Sequence, residues 1–105
     1  MNFDSSYGVF FDKSFSRSFA KNIPKGLKKS FDQKLKLLSN DPKYPSLNIK
    51  KLNVSQKFLK VNQVDEVGEF RINLSYRCIF YLVHAEKQVI LVFVGDHQEV
   101  KKFIK

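Results

Sequence analysis

Cysteine occurs once in these 105 residues, at Cys78, so no disulfide can close within the chain. Histidine occurs twice, at His84 and His97, and neither stands at short spacing from the other or from Cys78, which removes the paired-ligand pattern of a structural zinc site. The four glycines form no phosphate-binding loop, and no serine sits in a nucleophile elbow. No apolar run is long enough to span a bilayer, and no leader of charged, apolar and small blocks is present. Internal repeats and low-complexity tracts are also lacking. The expectation is a cytoplasmic protein without metal, cofactor or membrane partner.

Acidic residues are scarce as well: ten Asp and Glu stand against nineteen Lys and Arg, for a formal net charge of +9. Such a surplus favours a polyanionic partner, because each phosphate neutralised releases condensed counterions and the field steers encounter. Nucleic acid leads over an anionic membrane or an acidic protein, and charge kept for solubility alone is the plain alternative. Hydrophobic residues make up 43% of the chain and include eleven Phe, a composition that folds. The length predicts one domain spanning residues 1–105.

Aromatic and β-branched residues in Tyr7 to Asp12 predict a first strand. Ser14 is the expected N-cap of a short helix whose Phe15 and Phe19 share a face. Pro24 suits the first turn of a second helix, along which Leu27, Phe31, Leu35 and Leu38 recur at helical spacing up to about Asn40. The two form an αα-hairpin whose apolar side needs a sheet to cover.

Residues 42 to 66 read mainly as connection, with a short strand around Phe58 to Val61 and a lysine group at Lys50, Lys51, Lys57 and Lys60 that is either a solvated loop or an RNA-facing surface. Phe70, Ile72 and Leu74 then alternate with Glu69, Arg71 and Asn73, as on a half-buried strand. Tyr76 to Val83 and Val89 to Val94 follow as nearly continuous apolar runs, the second predicted to be the central strand of an antiparallel meander. Val100, Phe103 and Ile104 are spaced to close a terminal helix onto the sheet. The predicted fold is α+β: an N-terminal strand and αα-hairpin on a mainly antiparallel, four-stranded twisted sheet, ending in a short helix.

Few residues can carry chemistry. Cys78 lies in an apolar run and reads as a small buried hydrophobe, and His84 as an exposed loop residue. His97 follows Gly95 at a strand end, where a small residue lets a ligand or another backbone approach closely; it can exchange a proton near neutral pH or simply cap the terminal helix. Arg71 and Arg77 flank a tight turn. A loop centred on Leu74 places them opposite each other on one face, whereas a two-residue turn at Leu74 and Ser75 places them on opposite faces. Facing like charges cost stability, so the first register makes sense chiefly with an anion between or near them.

The phrases EFRINLSYRCIFYLV (residues 69–83) and VFVGDHQEVKKF (residues 92–103), together with the order of elements, resemble the RelE/ParE superfamily of bacterial type II toxins. The resemblance implies a toxin held by a cognate antitoxin in a hetero-oligomer. On the RelE branch it implies an endoribonuclease that cuts mRNA, mostly on the ribosome, without a metal.

By the same resemblance Arg77 would stabilise the transition-state phosphate, Arg71 would orient it, and His97 would act as general acid or base. Lys50 or Lys51, in LNIKKLN, would ground the RNA backbone, and Glu69 is a further proton acceptor. The pattern departs at Lys101, where many members carry an aromatic residue; Phe103 is the nearest aromatic, and both are expected to touch substrate. Two alternatives remain open: a ParE-like toxin that inhibits DNA gyrase without cleaving anything, and a non-catalytic RNA-binding module.

Overall fold

The computed structural model describes residues 1–105. The chain runs β1 (Gly8–Phe11), α1 (Lys13–Asn22), α2 (Lys28–Asn40), β2 (Lys50–Lys51), α3 (Gln56–Asn62), β3 (Glu66–Arg71), β4 (Tyr76–Val83), β5 (Gln88–Asp96) and α4 (His97–Phe103). The strands form one sheet in the order β1-β5-β4-β3-β2, parallel between β1 and β5 and antiparallel elsewhere. The meander and the covering hairpin match expectation. The sheet has five strands rather than four because Lys50 and Lys51 pair with Gly68 and Glu69, a ladder too short and too basic to leave an apolar pattern. The central position belongs to β4, with β5 one step nearer the edge.

One face of the sheet carries most of the phenylalanines. Phe15 and Phe19 of α1 lie 5.5 and 5.1 Å from Phe31 of α2, which continues through Phe70 to Phe80 on the sheet. Phe3, Leu38, Leu47, Ile72, Cys78, Leu82, Val89, Leu91 and Val94 complete this buried cluster. Cys78 is fully enclosed, as expected, and burial pushes its thiol pKa well up because a thiolate there would lose its hydration.

A second stripe of α1 does different work. β1 pairs with β5 only as far as Leu91, leaving the rest of that edge of β5 without a neighbouring strand. Ser14, Ser18 and Asn22, four residues apart, take over: Ser14 Oγ donates to the Val92 carbonyl (2.7 Å), Ser18 Oγ accepts from Val94 N–H (2.9 Å), and Asn22 Nδ2 donates to the Val94 carbonyl (2.9 Å). The helix is capped by Asp12 and not Ser14: its carboxylate accepts from Ser14 N–H at 3.0 Å and, at 2.6 Å, shares the single Ser14 hydroxyl proton with the Val92 carbonyl, which holds its pKa below the usual range. Pro24 likewise caps a short 3-10 turn, and the second helix proper begins four residues later at Lys28.

The opposite face is thinner. Val67, Ile79, Tyr81, Val92 and Val100 form its core, covered by α3 and α4. The expected strand at Phe58 to Val61 is the body of α3. Ser55 caps it by accepting from Phe58 N–H, Phe58 packs edge-on to Tyr81, and Val61 is left 71% exposed, a division that suits a helix lying on the sheet. Val92 has no partner on β4, since Ile79 pairs with Phe93 and Phe80 with Leu91, and this bulge lets Val92 join the thinner core.

His84 departs from its expected exposure. It is half-buried, its Nδ1 2.7 Å from the Tyr7 hydroxyl and its Nε2 2.6 Å from Glu66 Oε2, while its backbone N–H donates to Asp65. Lys51 Nζ lies 3.6 Å from the other Glu66 oxygen. The cluster ties β1, β2, β3 and the β4–β5 hairpin together at one end of the sheet.

Candidate functional site

At the other end of β3, and on the thinner face, the sheet register assembles a polar row. Arg71 pairs directly with Arg77, so their side chains share a face, as a loop centred on Leu74 requires. Asn73 makes the turn: its Oδ1 accepts from Ser75 N–H and Tyr76 N–H, both at 2.8 Å. Arg77 in turn pairs with Gly95. Continuing the β2–β3 register past Lys50 brings Asn48 opposite Arg71, so that Asn48, Arg71, Arg77 and Gly95 form one line across four chain segments. Lys50 and Glu69 pair in the next line.

The two arginines are held differently. Arg77 Nε lies 3.1 Å from Glu69 Oε2, its diagonal neighbour, and both groups are largely buried. Arg71 has no carboxylate partner: its Nη2 and Nη1 lie 2.9 and 3.1 Å from the Asn48 side-chain amide, which can accept from both only with its oxygen turned toward them, and its Nε is buried without any hydrogen-bond partner. A half-buried cation that faces another cation and has no carboxylate of its own is an arrangement that an anion would stabilise.

His97 is exposed and begins α4, two residues beyond Gly95. It is not the helix cap. Asp96 fills that role in a capping box with Glu99, their side chains accepting from Glu99 N–H (2.9 Å) and Asp96 N–H (2.8 Å). The capping box also accounts for Gly95. A side chain there would meet Glu99 Cβ at 2.9 Å and the Phe93 ring at 3.0 Å, so the missing Cβ makes room for α4 and not, as expected, for a substrate.

The remaining candidates divide. Lys50 shares the face of Glu69 and the arginines, whereas Lys51 points to the other face and pairs with Glu66. Lys101 is exposed on α4, and Phe103 stacks on Phe93 with ring centroids 4.5 Å apart. Asn48 went unnoticed in the sequence, although its distance from Lys50 would place it beside Arg71 once the β2 pairing is known. A cavity of about 650 Å³ lies between α1 and α4, lined by Arg17, Lys21, Lys102, Phe93 and Phe103 among others.

No protein-family model matches the chain, and no curated protein matches it. Solved structures do. A chain of the archaeal RelE–RelB complex from Pyrococcus horikoshii superposes with a TM-score of 0.62 at 17% identity, covering 86% of this chain and 93% of that one. The chain has the RelE-like fold. A chain of the Escherichia coli DinJ–YafQ complex gives a TM-score of 0.63 at 14% identity, with coverage of 90% and 97%. One from the toxin–antitoxin complex RelBE2 of Mycobacterium tuberculosis gives 0.59 at 19% identity, with coverage of 87% and 98%. At these identities it is the RelE-like fold that is shared, nearly end to end. No helix is long and apolar enough to cross a membrane.

Proposed function

We propose that this chain is the toxin of a type II toxin–antitoxin pair, and that it inhibits translation by cutting mRNA, with ribosome-bound mRNA as its substrate. The observation that carries the reading is Arg71: a half-buried guanidinium without a counter-ion, set directly opposite Arg77. Two facing cations cost the apo fold stability, and a phosphodiester between them removes that cost.

In the reaction the substrate 2′-hydroxyl attacks the adjacent phosphorus, loses its proton to a base, and expels the 5′-oxygen, which takes a proton from an acid. A 2′,3′-cyclic phosphate and a 5′-hydroxyl result. Arg71 and Arg77 meet the charge that grows on the non-bridging oxygens. His97, exposed and outside the helix cap, is free to move one of the two protons. Glu69 is engaged by Arg77, so its role is to orient that arginine, and Lys50 lies on the right face to hold the RNA backbone. Lys51 points away. The basic chain and the toxin–antitoxin complexes among its structural neighbours support a largely acidic antitoxin as partner.

The test is to add the protein to translating ribosomes and map mRNA ends. New 5′-hydroxyl ends at codon positions, lost in the R71A, R77A and H97A variants, are expected. Growth arrest without new ends, unaffected by those substitutions, would instead place the chain with gyrase-directed toxins.

A further inference from the structure

We infer that Asn48 is a positioning residue whose task is to fix the Arg71 guanidinium while leaving its positive charge uncancelled; this inference rests on the nuclease reading above. Only one orientation of the amide is chemically consistent. With its oxygen toward Arg71, Oδ1 accepts from both Nη2 and Nη1, whereas the reverse would set an NH₂ donor against guanidinium donors.

The backbone makes the choice of residue narrower still. Asn48 closes the 3-10 turn Pro45–Leu47 with φ 49° and ψ 48°, its N–H donating to the Pro45 carbonyl, and it is held there by Leu47, which is fully buried beside it. Left-handed backbone of this kind suits Gly, Asn and Asp. Glycine offers no acceptor, and aspartate would accept equally well but form an ion pair. Of the three, asparagine alone orients Arg71 and leaves its charge for a ligand.

The contrast with the neighbouring arginine supports this. Arg77 is held by a carboxylate, its diagonal neighbour Glu69; Arg71 is held from directly across its other flank by a neutral amide. Arg77 thereby faces the substrate with a carboxylate behind it, and Arg71 faces it without one.

Three variants, N48G, N48D and R71A, test the inference through cleavage kinetics, binding of a non-cleavable 2′-O-methyl oligoribonucleotide, and NMR of the Arg71 side chain. In N48G the left-handed backbone is retained at no steric cost, so the folding midpoint holds while kcat falls by up to about 100-fold with little change in KM. The Nη protons of Arg71, restrained in the wild-type protein, rotate freely in that variant.

In N48D the Arg71 signals stay restrained, yet oligoribonucleotide affinity drops and its salt dependence loses about one counterion. An N48D protein that binds and cuts as the wild type does, or an N48G protein with unchanged Arg71 signals, overturns the inference. Should R71A alone abolish cleavage while both Asn48 variants cut normally, the nuclease reading stands and the inference falls. Should the wild-type protein cut no RNA, the nuclease reading falls, and the NMR and binding contrasts still decide the role of Asn48.

Discussion

Strand β3 ends in a polar cluster at each extremity, and the two differ in how completely their charges are matched. At its start, Glu66 receives His84 and Lys51, while Tyr7 takes the second nitrogen of the imidazole. Each polar group there has a partner inside the chain. At its end, Glu69 matches Arg77, and Arg71 is left with an amide oxygen and an orphaned Nε. The first arrangement joins four segments of backbone and asks nothing of a ligand. The second keeps an electrostatic debt that a bound phosphate would settle, which is why burial and neighbouring charge, more than the mere presence of arginines, distinguish a binding site from a clamp.

The largest contrast should come from removing the unmatched cation. Arg71→Ala is expected to lower the cleavage rate by about 100- to 1,000-fold, the usual loss for one charge-stabilising donor, without lowering the thermal midpoint. A fall in stability comparable to that of a core substitution would erase the distinction between the two clusters.

Glu69→Gln comes next, because it leaves Arg77 without its carboxylate beside a second cation. It should destabilise the free protein by about 1.5–3 kcal/mol, and added RNA or a polyanion should recover part of the loss, as read by denaturant unfolding with and without ligand. In the matched cluster, His84→Ala should cost about 1–3 kcal/mol and leave cleavage per folded molecule unchanged, which activity normalised to folded fraction would check. Loss of cleavage in folded H84A would mean that the clamp also serves the site.

The smallest effect is a control that belongs to neither cluster. Asp12→Ala removes the cap of α1 and should cost about 1 kcal/mol at neutral pH. Ser14 lowers the folded-state pKa of Asp12, so the carboxylate's contribution is present above the ordinary aspartate value of about 4 and is lost as pH falls through its lower folded value. The stability gap between wild type and D12A should therefore close on acidification below that range. A gap independent of pH would show that the cap works through something other than the ionised carboxylate.

Much of this was readable in the residues. Phe15, Phe19 and Phe31 sit on the apolar faces of their helices and form the phenylalanine face; Phe70 and Ile72 alternate and lie in the core, whereas Leu74, expected in the same row, is exposed in the turn beyond β3; Cys78 is buried. Other features were hidden because their cause is remote in sequence. Phe58 to Val61 looks like a strand until Ser55 caps it and Tyr81 supplies the surface it packs on. His84 looks exposed because its partners, Tyr7 and Glu66, lie 77 and 18 residues away. Gly95 beside a histidine suggests a cleft, yet the space is taken by Glu99, four residues on, once α4 folds back.

Local patterning, which depends on side-chain period and capping chemistry within a few residues, determined that this chain has an αα-hairpin, a meander and a surplus of positive charge. It also supplied Arg71, Arg77 and His97 as candidates, but it left open whether the arginines share a face. That was decided by the turn at Asn73, and with it came the diagonal from Glu69 to Arg77 and the alignment of Asn48 with Arg71. Strand register flips every side chain when it slips by one, so only the assembled sheet could say which cation is matched and which is free.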